Sequence, residues 1–231
     1  MPRKTSKRMQ AIKKDLTSGL LYSFTDAVNL LKKVSCVKFT ESVDVSINLD
    51  MKKSSEAVFR GAVVLPHGTG RIARVAVFAQ GQQAEAAKEA GADVVGCEDL
   101  VALMKDGDLN FQVVIATPDT IPIVAPLGSL LGPRNIMPNP KLGTVTMEVG
   151  EAVKQAKTGQ VRYRADKAGV LHVCIGKLTF ESRQLLENFR ALLAGILSKR
   201  TSMSKNLFKK ITLSSTMGPG LVLDSAALDV V

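Results

Sequence analysis

The chain reads as an α/β protein of two domains. A discontinuous α+β first domain is built from residues 1–67 and 159–231, and an α/β domain, 68–158, is inserted into it. Three observations predict this. The first is charge: residues 1–67 carry 12 Lys and Arg against 6 Asp and Glu, residues 160–231 carry 11 against 5, and residues 68–159 carry 8 against 10. Matched basic surpluses at both ends fit one body made from both termini. The second is strand style. The outer segments alternate apolar and polar residues, as half-buried strands do, whereas the middle strands are apolar throughout and alternate with helices, as a parallel sheet covered on both faces requires. The third is the pair of crossings, Pro66-His67-Gly68-Thr69-Gly70 and Gly159, which read as the exposed loop tips where insertion is tolerated.

The elements follow in order. The basic start, Met1 to Arg8, lacks an apolar stretch and reads as a solvated tail. Ser23 or Thr25 caps a helix whose Ala27, Val28, Leu30 and Leu31 share one face. Val43, Val45, Ile47 and Leu49 alternate with Asp44, Ser46 and Asn48, a half-buried strand. Val58 to Leu65 is a second strand, ended by the Pro/Gly break.

In the middle, Arg74–Ala79, Gly91–Val95 and Phe111–Ala116 are strands, and Ala84–Ala90 and Asp99–Lys105 are helices. Pro122 suits the first turn of another helix. A Gly/Pro-rich loop runs from Leu131 to Gly143, and a helix from Glu148 to Lys157 leads back. Val161–Ala165 and Gly169–Ile175 then flank the turn Asp166-Lys167-Ala168-Gly169 and predict a hairpin. Leu185, Leu186, Phe189, Leu192, Leu193, Ile196 and Leu197 define one face of a long helix. Residues 207–215 form a strand with neither face fully apolar.

Composition narrows the function. A net charge of +10 attracts a polyanion, and nucleic acid is the commonest one. No apolar run is long enough to cross a bilayer. Cys36, Cys97 and Cys174 are far apart, show no metal-ligand spacing and read as buried, inert thiols in a reducing cytoplasm. His67 and His172 sit in no catalytic or metal motif, so no enzyme, metal or cofactor is expected. Gly68-Thr69-Gly70 precedes a strand rather than following one and lacks the third glycine of a dinucleotide fingerprint. A nucleotide-dependent enzyme and a DNA-binding regulator are the rival readings. The first lacks a phosphate loop and the second lacks a recognition helix.

Two stretches carry the binding chemistry. Arg162 and Arg164 fall on one face of a strand beside Lys167, a phosphate cradle or a charged edge. In Ser214-Ser215-Thr216-Met217-Gly218-Pro219-Gly220, hydroxyls suit ribose and phosphate, glycine permits close backbone approach, and Met packs on an irregular surface. Aromatics at 4%, with no Trp, disfavour stacking-driven single-strand binding and point to folded RNA read by shape.

Several motifs together resemble the ribosomal protein L1 family in its bacterial form. They are Lys38-Phe39-Thr40-Glu41, Leu65-Pro66-His67-Gly68-Thr69-Gly70, Gly91-Ala92-Asp93, Leu131-Gly132-Pro133-Arg134-Asn135-Ile136-Met137-Pro138-Asn139-Pro140-Lys141-Leu142-Gly143-Thr144, Asp166-Lys167-Ala168-Gly169 and Thr216-Met217-Gly218-Pro219. The resemblance covers essentially the whole chain and implies a Rossmann-like inserted domain. It implies binding to the stalk segment of large-subunit rRNA, repression through the chain's own mRNA, and transient contact with exit-site tRNA. It also implies a monomer within the large ribosomal subunit of the cytoplasm. It places Phe39, Glu41, Thr216, Met217 and Gly218 in an RNA-contacting cluster with Ser215, and Lys38, Asp166, Lys167 and His172 beside it. Asn135 stands where the family usually has Gly, a position that Asn tolerates if the backbone is left-handed.

Overall fold

The computed structural model describes residues 8–10, 12, 16, 20–49, 59–107, 109–198 and 208–224. It is a mixed α/β structure whose backbone divides into two compact units, Met1–Phe59 with Tyr163–Val231, and Arg60–Arg162.

The first unit holds a four-stranded antiparallel sheet, packed with helices Phe24–Val34 and Ser182–Ser198. Its strands are β1 (Ser42–Leu49), β7 (Val170–Lys177), β8 (Phe208–Ser215) and β9 (Gly220–Leu223), in the order β7-β1-β8-β9. Strand β1 is central because it alternates strictly: Val43, Val45, Ile47 and Leu49 are buried and Ser42, Asp44, Ser46 and Asn48 are half-buried. Helix α1 (Phe24–Val34) buries Phe24, Ala27, Val28, Leu31 and Val34, with Asp26 in its first turn and Lys32 and Lys33 in its last, as the helix dipole favours. Ser23 occupies the N-cap position, but its hydroxyl meets Thr25 Oγ1 at 3.1 Å and caps nothing. Helix α7 (Ser182–Ser198) buries Leu185, Asn188, Phe189, Leu192, Leu193 and Ile196, while Leu186 is half-buried and Leu197 lies exposed at the edge of the stripe. The one polar member, Asn188, donates from Nδ2 to the Ile175 carbonyl at 2.8 Å, covering an edge group of β7.

Strand β8 has neither face fully apolar, as expected: buried Ile211 and Leu213 share one face with exposed Lys209 and buried Ser215, and Phe208 shares the other with Lys210, Thr212 and Ser214. Leu207 lies outside the described residues. Paired across the sheet, Asp44 stands beside Cys174 and Ser214, and Ser46 beside His172 and Thr212. The face turned away from the helices is therefore polar.

The expected hairpin between 161–165 and 169–175 does not form. Strand β6 (Gln160–Arg164) pairs with β2 (Arg60–Val64), and β7 pairs along its length with β1. What remains of it is the Ala165–Leu171 bridge, the Asp166 N–H donating to the Val170 carbonyl at 3.1 Å, and the Asp166-to-Gly169 turn. The eight-residue alternating β1 satisfies β7 better than a five-residue neighbour could, and that long-range choice leaves no local mark. Strands β2 and β6 count with the central unit as far as Arg60 and Arg162, inside the segments the sequence reading gave to the first domain.

Tyr163 is buried and its hydroxyl donates to the Gly195 carbonyl at 3.3 Å. Desolvation raises its phenol above the ordinary value. The folded state thus holds this proton more tightly than the unfolded chain. The contribution is complete below the unfolded pKa, about 10, and disappears as pH rises through the higher folded value. In alkaline denaturation, Tyr163→Phe should flatten the loss of stability above about pH 10. An unchanged profile would assign that loss to other groups.

The central unit is a parallel sheet ordered β4-β3-β5, with β3 (Val75–Phe78), β4 (Val94–Gly96) and β5 (Val113–Ala116). All eight residues of β3 and β5 are buried. Ala76, Phe78, Val114 and Ala116 face Leu100 and Met104 of α3 (Glu98–Lys105), with Val124, Leu127 and Leu131 from the helical turns α4 (Ile121–Val124) and α5 (Gly128–Leu131) and the residues between them. Val75, Val77, Val113 and Ile115 face Ala87 of α2 (Gln82–Glu89) and Val149, Val153 and Ala156 of α6 (Val149–Thr158). Asp93 begins this sheet by accepting the Val75 N–H at 2.8 Å.

The Gly/Pro-rich loop is internally bonded. Asn139 accepts the Lys141 N–H at 2.9 Å and donates its own N–H to Thr144 Oγ1 at 2.8 Å. Asn135 has φ of 57°, the left-handed position at which Asn substitutes for Gly with least strain.

Candidate nucleic-acid interface

The interface is built at the leading end of β1. There the β8–β9 hairpin turns through Thr216-Met217-Gly218-Pro219. The Gly218 N–H donates to the Ser215 carbonyl at 3.2 Å and none of the turn residues has a positive φ, so Gly218 takes the last position of a tight turn, where glycine is favoured. Thr216 ties the tip to β1: its N–H donates to the Ser42 carbonyl at 3.1 Å, and its Oγ1 accepts the Ser42 N–H at 3.0 Å. The Met217 N–H donates to Glu41 Oε1 at 3.1 Å, and Arg8 Nη2 donates to the Met217 carbonyl.

Burial sorts these residues by role. Glu41 is 2% exposed, so its carboxylate acts on the turn rather than on an incoming ligand. A hydrogen bond to a charged acceptor contributes about 1.5–3 kcal/mol. Glu41 Oε2 and Ser215 Oγ are buried with no hydrogen-bond partner among the described residues. What the site presents outward is apolar: Met217 is 48% exposed and Phe39, on the loop between α1 and β1, is 54% exposed. Phe39 therefore lies on the surface and not in the core. Lys38 beside it is exposed as well.

Other sequence candidates lie elsewhere. The Gly169 carbonyl accepts the Leu49 N–H, so the Asp166–Gly169 turn sits at the trailing end of β1, seven residues, about 23 Å, from Ser42. Asp166 Oδ1 is occupied by the N–H groups of Ala168 and Val170, both at 2.9 Å, which makes Asp166 a turn residue; Lys167 is exposed beside it. His172 is exposed at mid-strand on the polar sheet face, its Nδ1 3.0 Å from Ser46 Oγ. The Arg162–Arg164 cradle is not formed: Arg164 is exposed, but Arg162 Nη2 is sealed without a partner among the described residues, and desolvation lowers the Arg162 pKa.

The thiols are also less enclosed than expected: Cys36 is exposed, and Cys97 and Cys174 are half-buried. Arg8, in the basic start of the chain, carries no sequence mark of this role but its charge. Its partner is 209 residues away, a distance at which sequence carries no signal.

The central unit offers little room for a nucleotide. In open α/β sheets, ligands settle beyond the carboxyl ends of the strands where strand order reverses. Here the chain itself bridges that place. The Phe78 carbonyl accepts both the Thr117 N–H at 3.1 Å and Thr120 Oγ1 at 3.0 Å, and Ala116 pairs with Val145. Gly68 serves a close backbone pass, since a Cβ there would stand 2.8 Å from the Thr158 carbonyl oxygen.

Residues 31–219 match the family described as the ribosomal protein L1p/L10e family. The chain belongs to the ribosomal protein L1 family. It is 57% identical over 226 residues to the large ribosomal subunit protein uL1 of Methylococcus capsulatus, covering 96% of this chain and 97% of that one. It is 55% identical to the uL1 proteins of Thioalkalivibrio sulfidiphilus and Pasteurella multocida, covering 97% of this chain in each case and 98% and 99% of theirs. L1-family membership fits a structural role in the ribosome. Among the described residues, no helix is long and apolar enough to cross a membrane.

Proposed function

We propose that the chain is a component of the large ribosomal subunit that binds the stalk segment of large-subunit rRNA through the β8–β9 hairpin tip. The observation that carries this is the pairing of two exposed apolar side chains, Phe39 and Met217, with a backbone turn held rigid from within by Glu41 and Ser42. An exposed aromatic next to a preorganised turn fits a ribose or base face, and the basic termini supply non-specific attraction. Both ends of the chain form one discontinuous RNA-binding domain, and the central parallel sheet is its Rossmann-like insertion. In the ribosome this domain holds the stalk that accompanies exit-site tRNA, with roles in its movement and release. The same turn binds a copy of the rRNA site on the chain's own mRNA and so represses translation. No catalytic step is assigned to it.

The test is equilibrium binding of the full chain to a stalk-rRNA transcript, with duplex DNA as competitor. Phe39→Ala and Met217→Ala should each weaken binding about 5- to 150-fold, about 1–3 kcal/mol, and leave Tm unchanged. Parent-like binding by both variants would remove the hairpin tip as the site. Preference for the DNA competitor would favour a DNA-binding regulator.

A further inference from the structure

We propose that Arg8 belongs to the binding surface: the Met217 carbonyl aims its guanidinium, whose other N–H groups take a phosphate of RNA seated on the turn. The inference rests on the RNA-binding reading above. The backbone of Met217 is gripped from both sides, by the Glu41 carboxylate on its N–H and by the Arg8 guanidinium on its carbonyl. The two charges are not equally placed. Glu41 is enclosed and turned toward the peptide, while Arg8 is half-buried and keeps a route to solvent. Among the described residues no carboxylate pairs with Arg8.

A guanidinium carries five N–H donors in a planar fork, and one carbonyl occupies one of them. The remaining donors of the planar fork suit phosphate oxygens. Lysine could not serve both partners as well, because its ammonium is a single point on a flexible stem. Fixing the arginine on a backbone carbonyl also removes part of the ordering cost that a loose surface side chain meets on binding.

The experiment measures binding of the full chain to the stalk-rRNA transcript across a salt series, for the parent, Arg8→Ala, Arg8→Lys and Phe39→Ala. Arg8→Ala should weaken binding about ten-fold at moderate salt and reduce the log–log salt slope by about 0.7–0.9, the share of one phosphate. Arg8→Lys should keep the slope and lose part of the affinity. Phe39→Ala should lower affinity with no change of slope. If Phe39→Ala weakens binding while Arg8→Ala matches the parent, Arg8 is no part of the surface and the RNA-binding reading stands. If Arg8→Ala weakens binding at unchanged slope, Arg8 only steadies the turn and the phosphate contact is overturned. If the parent itself does not bind the transcript, the RNA-binding reading fails first.

Discussion

Gly218→Val should unfold the hairpin tip before it can affect any ligand. A Cβ at Gly218 would lie 2.2 Å from Ser215 Oγ and 3.4 Å from Leu31 Cδ2, both inside the protein. The φ angle is not the constraint, because it is not positive. Overpacking of this kind costs about 1–3 kcal/mol, a fall in Tm of roughly 2–12 °C for a chain of this size. RNA affinity should fall with it, since the turn carries Met217. The contact has a specific remedy. Ser215 Oγ has no hydrogen-bond partner among the described residues, so Ser215→Ala should be nearly neutral, and Gly218→Ala in that background should recover most of what Gly218→Ala loses alone. Gly218→Asn should be tolerated no better than Gly218→Ala, since its Cβ meets the same Ser215 Oγ and tolerance of a left-handed φ brings no relief. Additive losses in the double variant would sink the steric account, and a Gly218→Ala protein with parent Tm but poor binding would return the glycine to the RNA side of the interface.

Phe189→Ala should give the largest loss of stability, about 3–5 kcal/mol. Phe189 is fully buried on α7 and stacks on Phe24 of α1, with ring centroids 4.9 Å apart and planes 17° apart. Domains of ordinary size have only about 5–15 kcal/mol in total, so the basic unit would be near its limit at room temperature. Thermal unfolding followed with ordinary binding assays should show RNA binding lost together with the α1–α7 packing, since α1 supplies Leu31 beneath Gly218. A loss below about 1 kcal/mol would mean that the two helices can close over the gap.

Elements whose burial pattern is local were legible in the sequence. Strand β1 and helices α1 and α7 announce themselves by period, and the apolar strands of the central unit by their continuity. Pairing was not legible. Nothing within residues 160–177 says that β6 leaves its neighbour for β2, because the decision is made by partners a hundred residues away. The site divides the same way. Glu41, Thr216 and Met217 came from motifs and meet at the hairpin turn, and Phe39 stands exposed two residues before Glu41. Asp166 and Lys167 came from an equally good motif and lie at the other end of the same strand. Residue types signalled binding chemistry; only the register of the sheet could say which of them share a surface. Glu41 shows the limit most directly, since an acidic residue in an RNA-binding motif reads as a ligand contact until its burial is known.

The turn at Met217 is completed by residues 8 and 41, which stand 209 and 176 positions away in the chain. Closing such loops costs entropy that short-range contacts never incur, and topologies dominated by them fold slowly. The binding surface therefore cannot exist on a partial chain. Residues 8, 39 and 41 are made first and wait for residues 215–218, which are synthesised well over a hundred residues later. A protein cut short just before the β8–β9 hairpin would carry most of the positive charge and a complete central unit, yet no assembled turn. On the proposed reading, shape recognition of RNA is in this sense a property of the assembled turn and not of its parts.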